Sequence, residues 1–152
     1  MHNGYSSLCA KDKNMNNKLS LMIKKARDAL NNAYSPYSNF QVACCLSSPD
    51  GSLYTGVNVE NCSYSLTTCA ETSAIAQLIA SGKSTIQDVV LMNGENTLCA
   101  PCGACRQRIL EFATEDTKVH LCDHNRILKT LAVSELLPLA FTFKPSSGSN
   151  ND

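Results

Sequence analysis

KVHLCDHNRILKTLAV, residues 118–133, is the stretch on which the topology turns. Its two apolar runs, 118–122 and 127–133, are each of strand length, and only Asp123-His124-Asn125-Arg126 joins them. A parallel crossover needs about a dozen residues or more. The spacing therefore predicts that the last two strands are antiparallel. Upstream, residues 103–113 read as a helix with Pro101 just before it, and 88–92 as a third strand. Residues 70–80 are a further helical stretch, closed by Gly82 at a C-cap position. Runs at 40–46 and 53–59 flank Ser48-Pro49-Asp50-Gly51, a strong turn signal, and predict a hairpin. Leu19, Met22, Ile23, Ala26, Leu30 and Ala33 recur at helical spacing. A first helix is therefore expected over 18–33, broken by Tyr34-Ser35-Pro36-Tyr37-Ser38-Asn39. Downstream, 134–137 can start a short helical turn. Helices alternating with strands predict an α/β fold, a three-layer α/β/α sandwich around a five-stranded mixed sheet.

The 152 residues suit one domain with a real core. Residues 1–17, polar and rich in Asn and Ser, are expected to be a disordered N-terminal tail, and 145–152 a disordered C-terminal one. That leaves 18–144 as the single domain. Thirteen Lys and Arg balance thirteen Asp and Glu. A nucleic-acid binder normally shows a basic excess, because phosphate contacts supply most of its affinity, so no such partner is expected. No run approaches the ~20 apolar residues of a membrane span. The start lacks the apolar run of a secretory signal. The expected compartment is the cytosol, where thiols stay reduced.

Nine cysteines stand at 9, 44, 45, 62, 69, 99, 102, 105 and 122. Among reduced thiols, such clustering points to a metal. Two segments stand out, Cys69-Ala70-Glu71 and Pro101-Cys102-Gly103-Ala104-Cys105. Each opens a predicted helix, where the positive end of the dipole favours a thiolate. The i,i+3 spacing puts Cys102 and Cys105 on one helical face, and Cys69 can complete a triangle. Three thiolates with one open position describe a catalytic zinc site. Glu71, two residues beyond Cys69, need not ligate but can reach a water held there. This is the pattern of zinc deaminases, in which the Glu carries protons. Two other readings exist. A structural site would be closed by Cys62, Cys99 or Cys122. An iron–sulfur reading of Cys99-x-x-Cys102-x-x-Cys105 lacks the fourth Cys and the Pro after it. Cys9, Cys44, Cys45, Cys62, Cys99 and Cys122 are most simply buried or tail thiols. His2, His120 and His124 lie outside every motif and are read as non-ligands.

Five motifs occur in order: Tyr34-Ser35-Pro36-Tyr37-Ser38-Asn39-Phe40-x-Val42, Asn58-Val59-Glu60-Asn61, Cys69-Ala70-Glu71, Pro101-Cys102-Gly103-Ala104-Cys105-Arg106-Gln107 and Leu136-Leu137-Pro138. Over about residues 19–143 the chain resembles the small, homotetrameric class of zinc-dependent cytidine deaminases. The resemblance implies one Zn²⁺ per subunit and hydrolysis of free cytidine and deoxycytidine to uridine and deoxyuridine, with release of ammonia, in pyrimidine salvage. It implies that Phe40 stacks on the pyrimidine, that Asn58 and Glu60 hold the ribose, and that Ala70 lines the substrate site. It further implies that Tyr64 and Phe141 complete pockets across subunits of a homotetramer. Read from the residues alone, Asn58 and Glu60 are two apart on a strand and share a face. An amide beside a carboxylate suits neighbouring hydroxyls, and equally a solvated strand end. Phe40, Tyr64 and Phe141 alone read as well as packing residues.

In the expected chemistry, Glu71 takes a proton from the water that attacks C4 of the base, protonates N3, and then protonates the leaving ammonia. Zinc lowers the pKa of the water towards about 7. Three thiolates leave Zn²⁺ with a net charge of about −1, which must be offset. The two helix dipoles and Arg106, directly after Cys105, can do so. The resemblance implies an Arg straight after the Glu in most relatives, where this chain has Thr72, able to donate one neutral hydrogen bond. Three competing functions remain. Deaminases of antibiotic nucleosides such as blasticidin S share the Cys-Ala-Glu and Pro-Cys motifs, and Gly94-Glu95-Asn96 resembles them. Phe40 and the Asn58-Val59-Glu60-Asn61 motif favour cytidine. Nucleic-acid editing deaminases place a helix between the last two strands, which the 123–126 connection excludes. A non-catalytic zinc-stabilised module would have no use for Glu71 beside an open metal position.

Overall fold

Alternating side chains in the first and third strands sort the core into two clusters, one on each face of the sheet. The computed structural model describes the backbone of residues 5–143 and the side chains of 16–143. Its elements are α1 (Tyr5–Leu30), β1 (Val42–Ser47), β2 (Leu53–Val57), a 3₁₀ turn (Tyr64–Leu66), α2 (Ala70–Ala80), β3 (Ile86–Asn93), α3 (Gly103–Phe112), β4 (Ala113–Cys122), β5 (Ile127–Ala132) and α4 (Val133–Leu136). The strands lie in the order β2-β1-β3-β4-β5. β1 is antiparallel to both β2 and β3, β3 and β4 are parallel, and β5 returns antiparallel to β4. Ala43, Cys45, Val90 and Met92 face α1, against Met22, Ile23, Ala26 and Leu30. Their neighbours Cys44, Leu46, Val89 and Leu91 face the other way, against Ala74, Ile75 and Leu78 of α2 and Ile109 of α3. The period of two that puts successive strand residues on opposite faces thus builds three layers.

The hairpin closes as its turn residues require. Gly51 has a φ of +87°, a region open to glycine. The Asp50 Oδ1 accepts from the Ser48 hydroxyl at 2.5 Å and the Ser52 N–H at 3.1 Å. Gly82 follows α2 with a φ of +82°, at the left-handed position past a helix end. Gly56 in β2 has a different reason to be glycine. A Cβ there would lie 2.3 Å from the Ala70 carbonyl oxygen and 2.3 Å from the Ala74 nitrogen. α2 therefore rests directly on the β2 backbone.

Several boundaries differ from expectation. α1 begins at Tyr5, not near 18, so residues 5–17 of the expected tail are helical. It ends at Leu30 rather than 33. Residues 1–4 and the expected tail at 145–152 lie outside the described residues. β1 starts at Val42 rather than Phe40, because Asn39 has a φ of 56° and turns the chain just before it. β2 ends at Val57, so Asn58 and Glu60 lie beyond the strand. Between them Val59 makes isolated bridges to Tyr34 and Thr68. β4 begins at Ala113, directly after α3, and not at Lys118. Its early residues are irregular: the Thr117 hydroxyl donates to the Ile86 carbonyl at 2.7 Å and accepts from the Thr114 N–H at 2.8 Å.

A buried ionic cluster ties α1 to the sheet. The Lys18 ammonium donates to Asp88 Oδ2 at 2.5 Å, and the Ser47 hydroxyl donates to the same oxygen at 3.2 Å. His120 Nε2 lies 3.1 Å from Asp88 Oδ1, and its Nδ1 lies 2.9 Å from the Thr130 hydroxyl across the β4–β5 pair. The other described histidine, His124, also serves structure, with Nε2 3.0 Å from the Asn93 carbonyl. Neither is near the thiol cluster's donor set.

Candidate active site

Cys69 and Cys102 are the N-cap residues of α2 and α3. Their extended backbones (ψ 156° and 164°) end a loop just as each helix begins. Cys105 follows one turn into α3 and is fully buried. The three sulfurs lie within 4.8 Å of one another, the one cluster among the described residues able to hold a metal. Cys62, Cys99 and Cys122 are not in it, so the closed structural site is not formed. Cys122 faces α1 on the opposite side of the sheet, and Cys62 is exposed. Burial raises the Cys69 and Cys105 thiols above their ordinary range. Burial also acts to raise Cys102, but hydrogen bonds from Cys105 and Cys69 hold it below. A cation must therefore displace protons to hold this set as thiolates. Three soft donors converging from two helix starts fit Zn²⁺, whose bonds to sulfur are about 2.3 Å.

Glu71 lies in the first turn of α2 and is 4% exposed. Burial pushes its carboxyl above the usual range, opposed by its backbone N–H and the Cys105 thiol. A pocket of about 280 Å³ opens beside it. Its walls include Phe40, Asn58, Glu60, Cys69, Ala70, Glu71 and Cys102. Seven of the expected site residues thus meet in one cavity. Sequence reading missed Ser38, Val42, Thr67, Leu91, Cys99 and Ala100, which share the wall. Of these Ser38 and Val42 stood in the Tyr34–Val42 motif and Cys99 in the cysteine cluster, whereas Thr67, Leu91 and Ala100 carried no signal.

The Asn58 side chain is held by the chain leading into β1. Its Oδ1 accepts from the Val42 N–H at 2.8 Å, and its Nδ2 donates to the Phe40 carbonyl at 2.8 Å. Asn58 thereby fixes the backbone on both sides of Gln41 and sets where Phe40 stands. Glu60 accepts from the Tyr37 N–H at 2.9 Å, the Ser38 N–H at 3.2 Å and the Ser38 hydroxyl. These bonds hold its carboxyl below the usual range, the Ser38 hydroxyl most of all.

Tyr64 and Phe141 do not line this pocket. They are 74% and 75% exposed. Tyr64 stacks edge-on to Tyr37 with centroids 5.8 Å apart, in a smaller recess that shares Ser38, Glu60 and Thr67 with the main pocket. The Phe141 carbonyl accepts from Gln107 Nε2 at 2.9 Å. The Arg106 guanidinium, directly after Cys105, bonds two backbone carbonyls. Its Nε donates to the Pro101 carbonyl at 2.9 Å and its Nη1 to the Leu136 carbonyl at 3.2 Å. These two bonds tie the end of α4 and the Pro101 carbonyl to α3. The Thr72 hydroxyl is buried and has no hydrogen-bond partner among the described residues.

Three convergent thiols beside a pocket that holds a buried carboxylate, in an α/β/α frame, define the class of a zinc-dependent hydrolase. The cytidine and deoxycytidylate deaminase zinc-binding region matches residues 16–121. A cytidine deaminase of Halalkalibacterium halodurans is 42% identical over 122 residues, 80% of this chain and 92% of the relative. One of Mycoplasma genitalium is 40% identical over 124 residues, 81% of this chain and 95% of the relative. The crystal structure of cytidine deaminase from Burkholderia pseudomallei superposes with a TM-score of 0.74 at 36% identity, covering 80% of this chain and 97% of that one. That of the Mycobacterium tuberculosis cytidine deaminase gives 0.72 at 32% identity, covering 81% and 96%. The chain belongs to the zinc-binding cytidine and deoxycytidylate deaminase family.

Proposed function

We propose that this enzyme hydrolyses the exocyclic amine of free cytidine and deoxycytidine, yielding uridine or deoxyuridine and ammonia. The observation that carries the reading is one pocket holding Cys69, Cys102 and Glu71 at one end and Phe40, Asn58 and Glu60 around it. Cys69, Cys102 and Cys105 hold zinc, which when bound supplies a Lewis acid that makes a water acidic near neutral pH. Glu71, buried and raised in pKa, takes one proton from the attacking water and delivers it to N3, then takes the remaining proton of the new C4 hydroxyl and passes it to the amine, which leaves as ammonia as the C4 carbonyl forms. Phe40 stacks on the base, the Ala70 region borders it, and Glu60 and Asn58 face the sugar. No Lys or Arg lines the pocket, so a phosphate would meet no cation and two carboxylates. This favours nucleosides over nucleotides and single-stranded nucleic acid. The exposed Tyr64 and Phe141 rings suit a homotetramer in which each subunit completes a neighbour's pocket. The proposed setting is the cytoplasm and pyrimidine salvage.

The antibiotic-nucleoside alternative is not favoured. Asn96 of Gly94-Glu95-Asn96 accepts the His124 N–H at 2.7 Å, which gives that segment a structural use. The test is a spectrophotometric assay on cytidine, deoxycytidine, dCMP, blasticidin S and single-stranded DNA, with zinc analysis on the same sample. Turnover of the two nucleosides is expected. A folded, zinc-loaded protein inert towards both overturns the proposal.

A further inference from the structure

Ser38 touches both halves of the nucleoside pocket. Its hydroxyl donates to Glu60 Oε1 and accepts from the Phe40 N–H at 3.0 Å. Its own N–H, with that of Tyr37, goes to Glu60 Oε2. A carboxylate offers about four acceptor sites. Both sites on Oε2 are taken by N–H groups, and one on Oε1 by the Ser38 hydroxyl. One acceptor site, on Oε1, is left for a ligand. The same hydroxyl, through the Phe40 N–H, fixes the backbone that carries the ring. Ser38 is exposed and packs nothing in the core. Its side chain is therefore spent on these two bonds.

We infer that Ser38 is a positioning residue for substrate, which locks Glu60 in one rotamer with a single open acceptor site and couples that site to Phe40. The inference rests on the proposed roles of Glu60 and Phe40. One open site accepts one sugar hydroxyl. The 3′-hydroxyl is the one that ribose and deoxyribose share, so the two sugars bind with equal use of Glu60. Among the described residues Glu60 is held from one side, by the chain at 37–38, and without the Ser38 hydroxyl only the two N–H bonds to Oε2 remain, about which Oε1 can turn. The cost falls on binding, because Glu71 and the thiols are untouched.

The experiment compares Ser38→Ala, Ser38→Thr, Glu60→Ala and the Ser38→Ala/Glu60→Ala pair in the zinc-loaded enzyme. kcat and KM are measured on cytidine, deoxycytidine and 2′,3′-dideoxycytidine, with thermal melting as the check on folding. Ser38→Ala should raise KM about tenfold for cytidine and deoxycytidine alike, the scale of one lost hydrogen bond to a charged group, with kcat within about twofold. Ser38→Thr keeps the hydroxyl and should restore most of the KM. The effect should shrink for dideoxycytidine and in the Glu60→Ala background. If Glu60→Ala raises KM selectively for the hydroxylated sugars while Ser38→Ala does not, the inference is wrong and the pocket reading stands. If Glu60→Ala treats all three nucleosides alike, the pocket reading itself fails, and this inference with it. A Ser38→Ala enzyme that loses kcat at constant KM would also overturn it.

Discussion

Gly56→Ala adds one methyl group where β2 meets α2, and its effect can be worked from distances. The new Cβ would stand 2.3 Å from the Ala70 carbonyl oxygen and 2.3 Å from the Ala74 nitrogen, with Ser73 C at 2.9 Å. Ordinary contacts at a Cβ begin near 3.4 Å, so strand and helix must part by about 1 Å. All three neighbours are backbone, and none can rotate away. Ala70 and Ala74 are fully buried, so parting also opens packed core. Overpacking of a core typically costs about 1–3 kcal/mol, and this site belongs at the upper end. At about 2–4 °C per kcal/mol for a chain of this size, Tm should fall by about 6–12 °C. The displaced end of α2 carries Cys69 and Glu71. A shift of about 1 Å in a catalytic group can cost about 100-fold in rate, so kcat should suffer more than KM. Calorimetry and cytidine turnover on the same preparation measure both. A variant melting within about 2 °C of the parent at full rate would refute the claim that α2 rests on the strand backbone.

Asp88→Asn should destabilise the fold by about 3 kcal/mol, since Lys18 would lose its largely buried counter-charge and the bond between His120 and the carboxylate would be disturbed. Burial works to raise the Asp88 carboxyl, but bonds from His120 and Lys18 outweigh it and hold the pKa below the ordinary value. A depressed folded pKa gives stability that is present above about pH 4 and is lost as pH falls through the folded pKa. Melting curves should therefore show parent and variant converging in acid, and a gap constant with pH would contradict this. Stripping zinc with a chelator should abolish turnover, and one equivalent of Zn²⁺ per chain should restore it; a metal-free enzyme that keeps its rate counts against the thiol centre. Arg106→Ala should keep zinc but lower stability by about 1–3 kcal/mol, because the Pro101 and Leu136 carbonyls lose their donors. Zinc loss at unchanged Tm would instead return Arg106 to the charge-balancing role.

Local rules made much of this readable in advance. The four residues between β4 and β5 forbid a crossover, and α2 falls on 70–80 because its apolar spacing and Gly82 agree. The metal donors were legible because helix starts and the i,i+3 spacing are local properties. What was hidden depends on partners distant in sequence. The early part of α1 is rich in Asn, Ser and Lys, with no apolar stripe to mark it, yet the backbone continues helical back to Tyr5. The Arg106 side chain reads as an ion beside a sulfur until α4 brings the Leu136 carbonyl within reach. Phe40 leaves the strand because of the left-handed Asn39, a conformation that Asn permits without announcing. Asp88 gave no hint of Lys18, which is 70 residues away.

Part of the pocket wall is carried by a different kind of chain from the metal donors. Cys69 and Cys102 are defined by where two helices begin, and those helices are seated on the sheet. Cys99 and Ala100 belong to the connection from β3 to α3, which borders the cavity and supplies a donor only at its last residue, Cys102. Surface connections tolerate insertion and exchange far better than packed elements do. Descendants of this chain can lengthen or rewrite residues 94–100 and reshape that side of the cavity while the thiol donors stay in register. One wall of the cavity can thus drift without moving the groups that break the bond.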